Sequence, residues 1–329
     1  MGTPLVAGRF TLPFSSLDCS PFPRREGGQG VGSPACETRP PVVMLSASMR
    51  EIQAQQVTEV VARLCQEANF DLPPDVVAAL EQAQKQEASP EARDALGQLL
   101  ENARIARNER VPLCQDCGYT IVFLELGQDC HVVGGNLYGA IQEGVRRGYG
   151  EGYLRKSIVN PPIFQCANTG DNTPAAIHTE VVPGDRLRIV ILPKGGGSEN
   201  MSALAMLTPA QGVKGVVDFV AATVDRAGSN PCPPVIVGVG IGGTADYATL
   251  LAKKALLRGL GEPHPDPQIA GLEKEVLDRV NSLGIGAEGF GGTVTALAVH
   301  IETYPAHIAS LPVGVNIQCH SARHREAVL

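Results

Sequence analysis

Just after Met49 the apolar residues recur at helical spacing, at Ile52, Val57, Val60, Val61 and Leu64. A second helix is predicted at about 74–86. A third is predicted to start at Ser89-Pro90, because serine is a typical N-cap and proline a typical first helical residue. The spacing therefore predicts an all-helical start over residues 49–108.

Beyond residue 108, short β-branched runs alternate with helical segments. Strands are predicted at 120–126, 177–182, 186–192, 234–240, 293–301 and 313–317. Helices are predicted at about 137–148, 211–227, 244–259 and 270–282. This alternation predicts an α/β fold, in a layered α/β or α+β arrangement, over residues 109–329. Together with the helical start, it forms one predicted domain, 49–329.

Residues 1–48 have a different composition. They are rich in Gly, Pro and Ser, show no sustained periodicity, and lack the basic start and apolar core of a signal peptide. We expect a disordered extension. The alternative is a mis-assigned start, with Met49 opening the structured chain.

Charge and cysteine usage narrow the class of protein. The net charge of −7 is spread without a long run of one sign, which argues against a nucleic-acid partner or an anionic membrane surface. No apolar run approaches the ~20 residues that span a membrane. The 9 cysteines are odd in number and irregularly spaced, which is unlike a disulfide framework. We therefore expect a cytoplasmic protein.

Two glycine-rich stretches follow predicted strands. PVIVGVGIGGT contains G-x-G-x-x-G at Gly238, Gly240 and Gly243, as in a dinucleotide fold. The loop GEPHPDPQ follows its helix, however, where that fold needs a strand ending in an acid. A nicotinamide dehydrogenase is thus a remote alternative, and the helix start is open to another anion. LPKGGGSEN (192–200) is not a Walker loop and on its own predicts a flexible turn.

Three cysteines lie in polar or proline-rich segments beside apolar strands: Cys114 in VPLCQDCGYT, Cys232 in NPCPPVIV and Cys319 in NIQCHSARH. Three thiolates suit a [4Fe–4S] cluster with one iron left free to bind substrate as a Lewis acid. For any one cysteine taken alone, a small buried hydrophobe is the better interpretation. Zinc is less favoured because paired C-x-x-C arrays are absent. Spacing does not separate the cluster from buried thiols.

Six long motifs carry a family resemblance: PLCQD (112–116), EGVRRGYGEGYLRKSIV (143–159), NTGDNTPAAIH (168–178), KGGGSENMSAL (194–204), NPCPPVIVGVGIGGT (230–244) and HIASLPVGVNIQCHSARH (307–324). From Met49 to Leu329 the chain resembles the α subunit of the iron–sulfur-dependent (class I) fumarate hydratases and the related tartrate dehydratases. The resemblance implies a [4Fe–4S] cluster held by Cys114, Cys232 and Cys319. Residues 1–48 lie outside the resemblance.

The same resemblance implies the substrate site. Asp116 would act in proton transfer, and His307 would serve as a donor at a substrate carboxylate. Gln115 would hydrogen-bond substrate, Arg155 would pair with a carboxylate through its two-donor fork, and the backbone at Gly196 would approach substrate. The expected substrate is a small 2-hydroxy dicarboxylic acid.

The implied activity is the reversible hydration of fumarate to malate. The chain stops at HSARHREAVL, whereas single-chain class I fumarases continue into a further domain. We therefore expect a separate β subunit that completes the site in an α2β2 heterotetramer. L-Tartrate dehydration is the close alternative, and a non-catalytic iron–sulfur regulatory or redox subunit is the alternative of another class.

Two positions depart from the family pattern. Cys117 stands where C-Q-D-T-G is usual, either as a near-isostere of the hydroxyl residue or as a competitor for iron that would block the Lewis-acid site. Glu288, in AEGFGG, stands where an amide-bearing P-Q-G-x-G-G is expected, which puts local substrate contacts in question.

Overall fold

A computed structural model describes residues 49–329. The expected extension at 1–48 lies outside the described residues. The helices are α1 (Ala54–Phe70), α2 (Pro74–Gln86), α3 (Pro90–Glu109), α4 (Leu137–Glu151), α5 (Gly196–Glu199), α6 (Gly212–Ala227), α7 (Ala245–Ala255) and α8 (Pro267–Asn281). The strands are β1 (Arg50–Gln53), β2 (Tyr119–Gly127), β3 (Cys130–Val133), β4 (Ala176–Val182), β5 (Leu187–Lys194), β6 (Ala203–Leu207), β7 (Val235–Gly242), β8 (Ala296–Tyr304), β9 (Leu311–Gln318) and β10 (Arg325–Val328). The predicted α/β class is confirmed.

The helical start is present but begins later than its pattern predicts. Residues 50–53 form β1, which pairs in parallel with β3, so the helical prediction for these residues is wrong. Gln53 has extended backbone angles, and its N–H donates to the Gln56 side chain at 3.1 Å, which opens α1. The predicted cap of α3 is confirmed, since the Ser89 hydroxyl accepts from the Ala92 N–H at 3.3 Å.

The first sheet has the strand order β10-β5-β2-β4. Strand β2 pairs antiparallel with β5 and parallel with β4, and β10 pairs antiparallel with β5. Helices α1 and α4 pack together, and their apolar side chains share one core with β2 and β5. This layer carries the loop that precedes β2 and the loop that follows β5.

The second sheet has the strand order β6-β9-β7-β8. Strand β9 pairs antiparallel with β6 and β7, and β7 pairs parallel with β8. Helices α6 and α8 share an apolar core with β7, β8 and β9. Helices α2 and α3 contribute a further core together with Ile236 of β7 and Ala298 of β8.

The glycines of the G-x-G-x-x-G motif allow helix α7 to pack closely on β7. A Cβ atom on Gly238 would lie 2.1 Å from the Ala252 carbonyl oxygen, and one on Gly240 would lie 2.1 Å from that of Ala248. Helix backbone therefore fills the space above these two glycines. Close helix–strand packing explains both residues without a bound nucleotide.

Within residues 49–329, the structure contains no helix with the length and apolar character needed to cross a membrane. The longest helix, α3, has 20 residues but carries charged side chains along its length. The buried apolar side chains instead form the cores of the two sheet layers and of the helical start.

Gly240→Ala is expected to lower the free energy of unfolding by about 3 kcal/mol, because the added methyl group meets the α7 backbone. The measurement is chemical denaturation followed by circular dichroism. Gly271→Ala is the matched control, since Gly271 is exposed in α8 with no atom near the added Cβ. That change should raise stability by about 0.5–1 kcal/mol. Wild-type stability of Gly240→Ala would contradict the packing role.

Candidate active site

The chain crosses from the second sheet to the first between β9 and β10, at residues 319–324. Cys319 directly follows β9. The next residue, His320, donates its backbone N–H to the carbonyl oxygen of Cys232 at 3.2 Å. The Arg323 side chain donates to the carbonyl oxygen of Asp116. The crossing segment thus brings together the loops that carry Cys232 and Cys114.

Cys114, Cys232 and Cys319 form what we call the cysteine centre. Burial, followed by the charges of Glu288, Cys319 and Cys114, raises the pKa of Cys232 to about 11. The three thiols therefore lie within electrostatic range of one another. Cys232 has a positive φ of 54°, which turns the chain sharply before β7.

Two buried cations face the cysteine centre. Burial raises the pKa of Cys319, while the charges of Arg323 and Lys194 act in the opposite direction. Nε and Nη1 of Arg323 are buried without a hydrogen-bond partner among the described residues. Unpaired buried charge is costly, so these donors fit a bound anionic group such as a thiolate-ligated cluster.

A single metal ion is a poorer fit to the same thiols. In the described part of the chain, no three His, Cys, Asp or Glu side chains lie close enough to hold one ion. A mononuclear zinc site gathers its ligands within about 2.0–2.3 Å of one centre. In a four-iron cluster, each cysteine ligates a different iron, so its thiols need not converge in that way.

A cavity of about 650 Å³ lies against the Cys114 loop. Of the predicted substrate and catalytic residues, it is lined by Gln115, Asp116, Arg155 and Gly196. Its wall also contains Tyr119, His178, Lys194, Glu199 and Lys253. Residues from the first sheet, from α5, from α7 and from the segment after α4 therefore meet around one space.

Both carboxylate oxygens of Asp116 accept hydrogen bonds from backbone N–H groups. Oδ1 accepts from Gly118 at 2.9 Å, and Oδ2 accepts from Gly196 at 2.7 Å. The second contact joins the loop before β2 to the loop after β5. The carboxylate is thereby fixed at the cavity wall next to Cys114.

Arg155 is anchored through its backbone. Its N–H donates to the Cys117 sulfur at 3.1 Å, while its exposed side chain lines the cavity. The guanidinium forms no ion pair within residues 49–329. It is thus open to an anionic ligand.

Cys117 lies in the core of the first sheet layer, with a relative exposure of 1%. Burial raises the pKa of its thiol. Its sulfur is engaged by the Arg155 N–H, and Cys117 is not among the residues lining the cavity. This placement favours the near-isostere interpretation of Cys117 over competition for iron.

His307 lies in the exposed connection between β8 and β9, where its Nδ1 accepts from the Ala309 N–H at 3.2 Å. It does not line the cavity, so its role stays a prediction.

Glu288 lies 3.4 Å from Nε2 of His320, beside the cysteine centre. Burial lowers the pKa of His320 to about 4, so this imidazole is neutral at pH 7.

The sequence pattern did not identify the charged residues opposite Asp116. Residues 196–199 form α5 instead of the predicted flexible turn. Glu199 lies between two lysines, 3.4 Å from Lys194 and 2.5 Å from Lys253. The local signals were a lysine at the end of an apolar strand and, after three glycines, the polar residues Ser198 and Glu199.

Thiol alkylation tests whether the Cys117 thiol is buried. In the metal-free chain we expect iodoacetamide to label exposed Cys166 at least about ten times faster than Cys117, because the Cys117 thiol is buried and its pKa is raised. Mass spectrometry of peptides from the native protein measures both rates. Cys65 is the protected control, since burial raises its pKa to about 12. Equal labelling of Cys117 and Cys166 would contradict the placement.

Comparison with known proteins covers the whole site. A protein-family model described as Fumarate hydratase (Fumerase) matches residues 58–328. A Methanocaldococcus jannaschii protein, provisionally named L(+)-tartrate dehydratase subunit alpha, is 47% identical over 274 residues, which are 82% of this chain and 95% of that protein. The L(+)-tartrate dehydratase subunit alpha of Escherichia coli is 32% identical over 290 residues, covering 87% of this chain and 94% of its own.

Proposed function

The chain belongs to the fumarate hydratase (Fumerase) family, and from that premise we propose that it is the α subunit of an iron–sulfur hydro-lyase. The main support for the proposal is that the cysteine centre lies beside a cavity lined by Gln115, Asp116 and Arg155. The cysteine centre would hold a [4Fe–4S] cluster. When bound, the cluster would supply a Lewis acid at the iron that lacks a cysteine ligand.

Arg155 supplies the cation for one substrate carboxylate. Its guanidinium lines the cavity without an ion-pair partner in the described chain, and two parallel N–H donors match a carboxylate. The Gln115 amide lines the same cavity and is positioned for a further polar contact. Gly196 lines it too, with its N–H donating to Asp116, so substrate would approach the loop backbone beside that hydrogen bond. The cavity is large enough to admit a small organic acid.

Asp116 handles the carbon-bound proton. Two backbone N–H groups orient its carboxylate at the cavity wall. In dehydration, it would accept the proton from the carbon next to the hydroxyl-bearing carbon, and in hydration it would return that proton. Addition of water across fumarate places the hydroxyl on one carbon and this proton on the other, which balances the reaction.

Hydration of fumarate to malate is the leading activity, because the matching family is that of fumarate hydratase. Dehydration of L-tartrate is the second candidate, favoured by the names of the relatives. The non-catalytic alternative rested on Cys117 and Glu288. The core position of the Cys117 sulfur weakens it.

A β subunit is the proposed partner, in an α2β2 assembly. The names of the relatives contain the words subunit alpha, which support a second subunit. Tyr153 and Ile308 are almost fully exposed; Tyr153 lies two residues before Arg155, and Ile308 directly follows His307. Exposed large apolar side chains beside a site suit a covering partner. We propose a cytoplasmic location for the complex, supported by the odd number and irregular spacing of the cysteines in the sequence.

The function is tested on the chain co-produced anaerobically with its β subunit. We expect bound iron and sulfide, and turnover of fumarate or L-tartrate with kcat/KM differing by at least about tenfold between the two acids. Cys232→Ser should lose iron and turnover, whereas exposed Cys166→Ser should keep both. An iron-replete complex that turns over neither acid would refute the proposed enzyme.

Asp116→Asn should lower kcat by about 100-fold or more at unchanged iron content, because a carboxamide does not take up the proton. Steady-state rates and iron analysis on the same preparation measure this. Asp218→Asn is the matched control, because Asp218 is exposed on α6 and its one ion pair within residues 49–329 is with Lys214 at 2.5 Å. Wild-type kcat in Asp116→Asn would exclude Asp116 from proton transfer.

A further inference from the structure

Lys194, the last residue of β5, has a fully buried side chain. Its Nζ donates to the Ser198 hydroxyl at 2.7 Å and lies 3.4 Å from Oε2 of Glu199. Lysine is almost never fully buried unless it is paired, because removing an ammonium group from water is costly. Both partners belong to the five residues that follow Lys194.

These two contacts fold the glycine loop back over the ammonium group. The Ser198 hydroxyl donates in turn to the Gly195 carbonyl oxygen at 3.2 Å. The Glu199 N–H donates to the same carbonyl at 3.0 Å, which closes the single turn of α5. Three consecutive glycines have little intrinsic preference for one conformation. The contacts of the Lys194 ammonium group therefore restrict the loop to the conformation seen here.

Glu199 is itself held by the second sheet layer. Lys253 of α7 lies 2.5 Å from Oε1, and Asn316 of β9 donates to Oε2 at 3.0 Å. Burial alone would raise the pKa of Glu199, but the charges of Lys194 and Lys253 and these hydrogen bonds outweigh it and lower that pKa. The partner of Lys194 is therefore an anchored carboxylate, and the loop is fixed from both sides.

The loop held in this way presents the Gly196 N–H to Oδ2 of Asp116 at 2.7 Å. We propose that Lys194 is a positioning residue whose ammonium group holds residues 195–199 in the conformation that orients the Asp116 carboxylate. Lys194 also lines the cavity, but its ammonium group is held by Ser198 and Glu199 and so acts through the loop. The kinetic consequence rests on the proposed function, whereas the effect on the loop does not.

Lys194→Met separates this role from a purely structural one. This change removes one member of a buried ion pair, but Glu199 keeps Lys253 and Asn316 as partners and so is not left uncompensated. The thermal midpoint should therefore fall by only a few degrees. The loop should lose its anchor, and amide hydrogen exchange in a peptide spanning 195–200 should be at least about tenfold faster. In the αβ complex, kcat should fall about 10- to 100-fold while KM changes by less than about threefold.

Ser198→Ala is the second variant, since it removes the hydroxyl between Lys194 and the loop and should change exchange and kcat in the same direction. Lys214→Met, at an exposed lysine of α6, is the matched control and should change neither. Iron content should equal that of wild type in all three variants.

Wild-type exchange and kcat in both Lys194→Met and Ser198→Ala would overturn the proposal. Loss of iron in proportion to loss of activity would also overturn it, because Lys194 would then act on the cysteine centre. If the wild-type complex turns over no dicarboxylate, the proposed function fails by itself. Exchange in the chain then decides the inference, with faster exchange supporting it and unchanged exchange refuting it.

Discussion

The crossing of the chain at residues 319–324 is the constraint on which the rest of the site depends. Strand β9 belongs to the second sheet and β10 to the first, so this segment must pass between the layers. In passing, it places Cys319 beside the Cys232 turn and Arg323 against the Asp116 carbonyl oxygen. Register in both sheets therefore fixes where the cysteine loops meet.

Buried cations give this junction its electrostatic character. Arg323 and Lys194 are both buried in a chain of net charge −7, where each must be offset locally. Lys194 has an anchored partner in Glu199, whereas two nitrogens of Arg323 lack one in the described chain. An anion bound at the cysteine centre would supply the missing partner of Arg323. Because it would bind only the folded chain, it would also stabilise the folded state.

Local sequence pattern predicted the long elements and failed on the short ones. Helices α2 and α3 and strands β5 and β7 carry enough apolar repeats and end signals to be recognised alone. Strands β1, β3 and β10 have 4 residues each, and their structure is set by pairing with a neighbour. Ile52 shows the reason: it fits the helical repeat, yet it reaches the core from a strand.

The candidate site, too, was predicted only in part from sequence motifs, and the rest depends on three-dimensional contacts. C-Q-D-C located Cys114 and Asp116, but spacing did not show that the two thiols face different surroundings. The Cys114 sulfur accepts the Asp116 N–H at 3.4 Å, whereas the Cys117 sulfur lies in the core and accepts the Arg155 N–H. A hydroxyl oxygen at position 117 would accept the same N–H. The thiol therefore preserves the contact that anchors the Arg155 backbone, while the Cys117 side chain packs in the core of the first sheet layer.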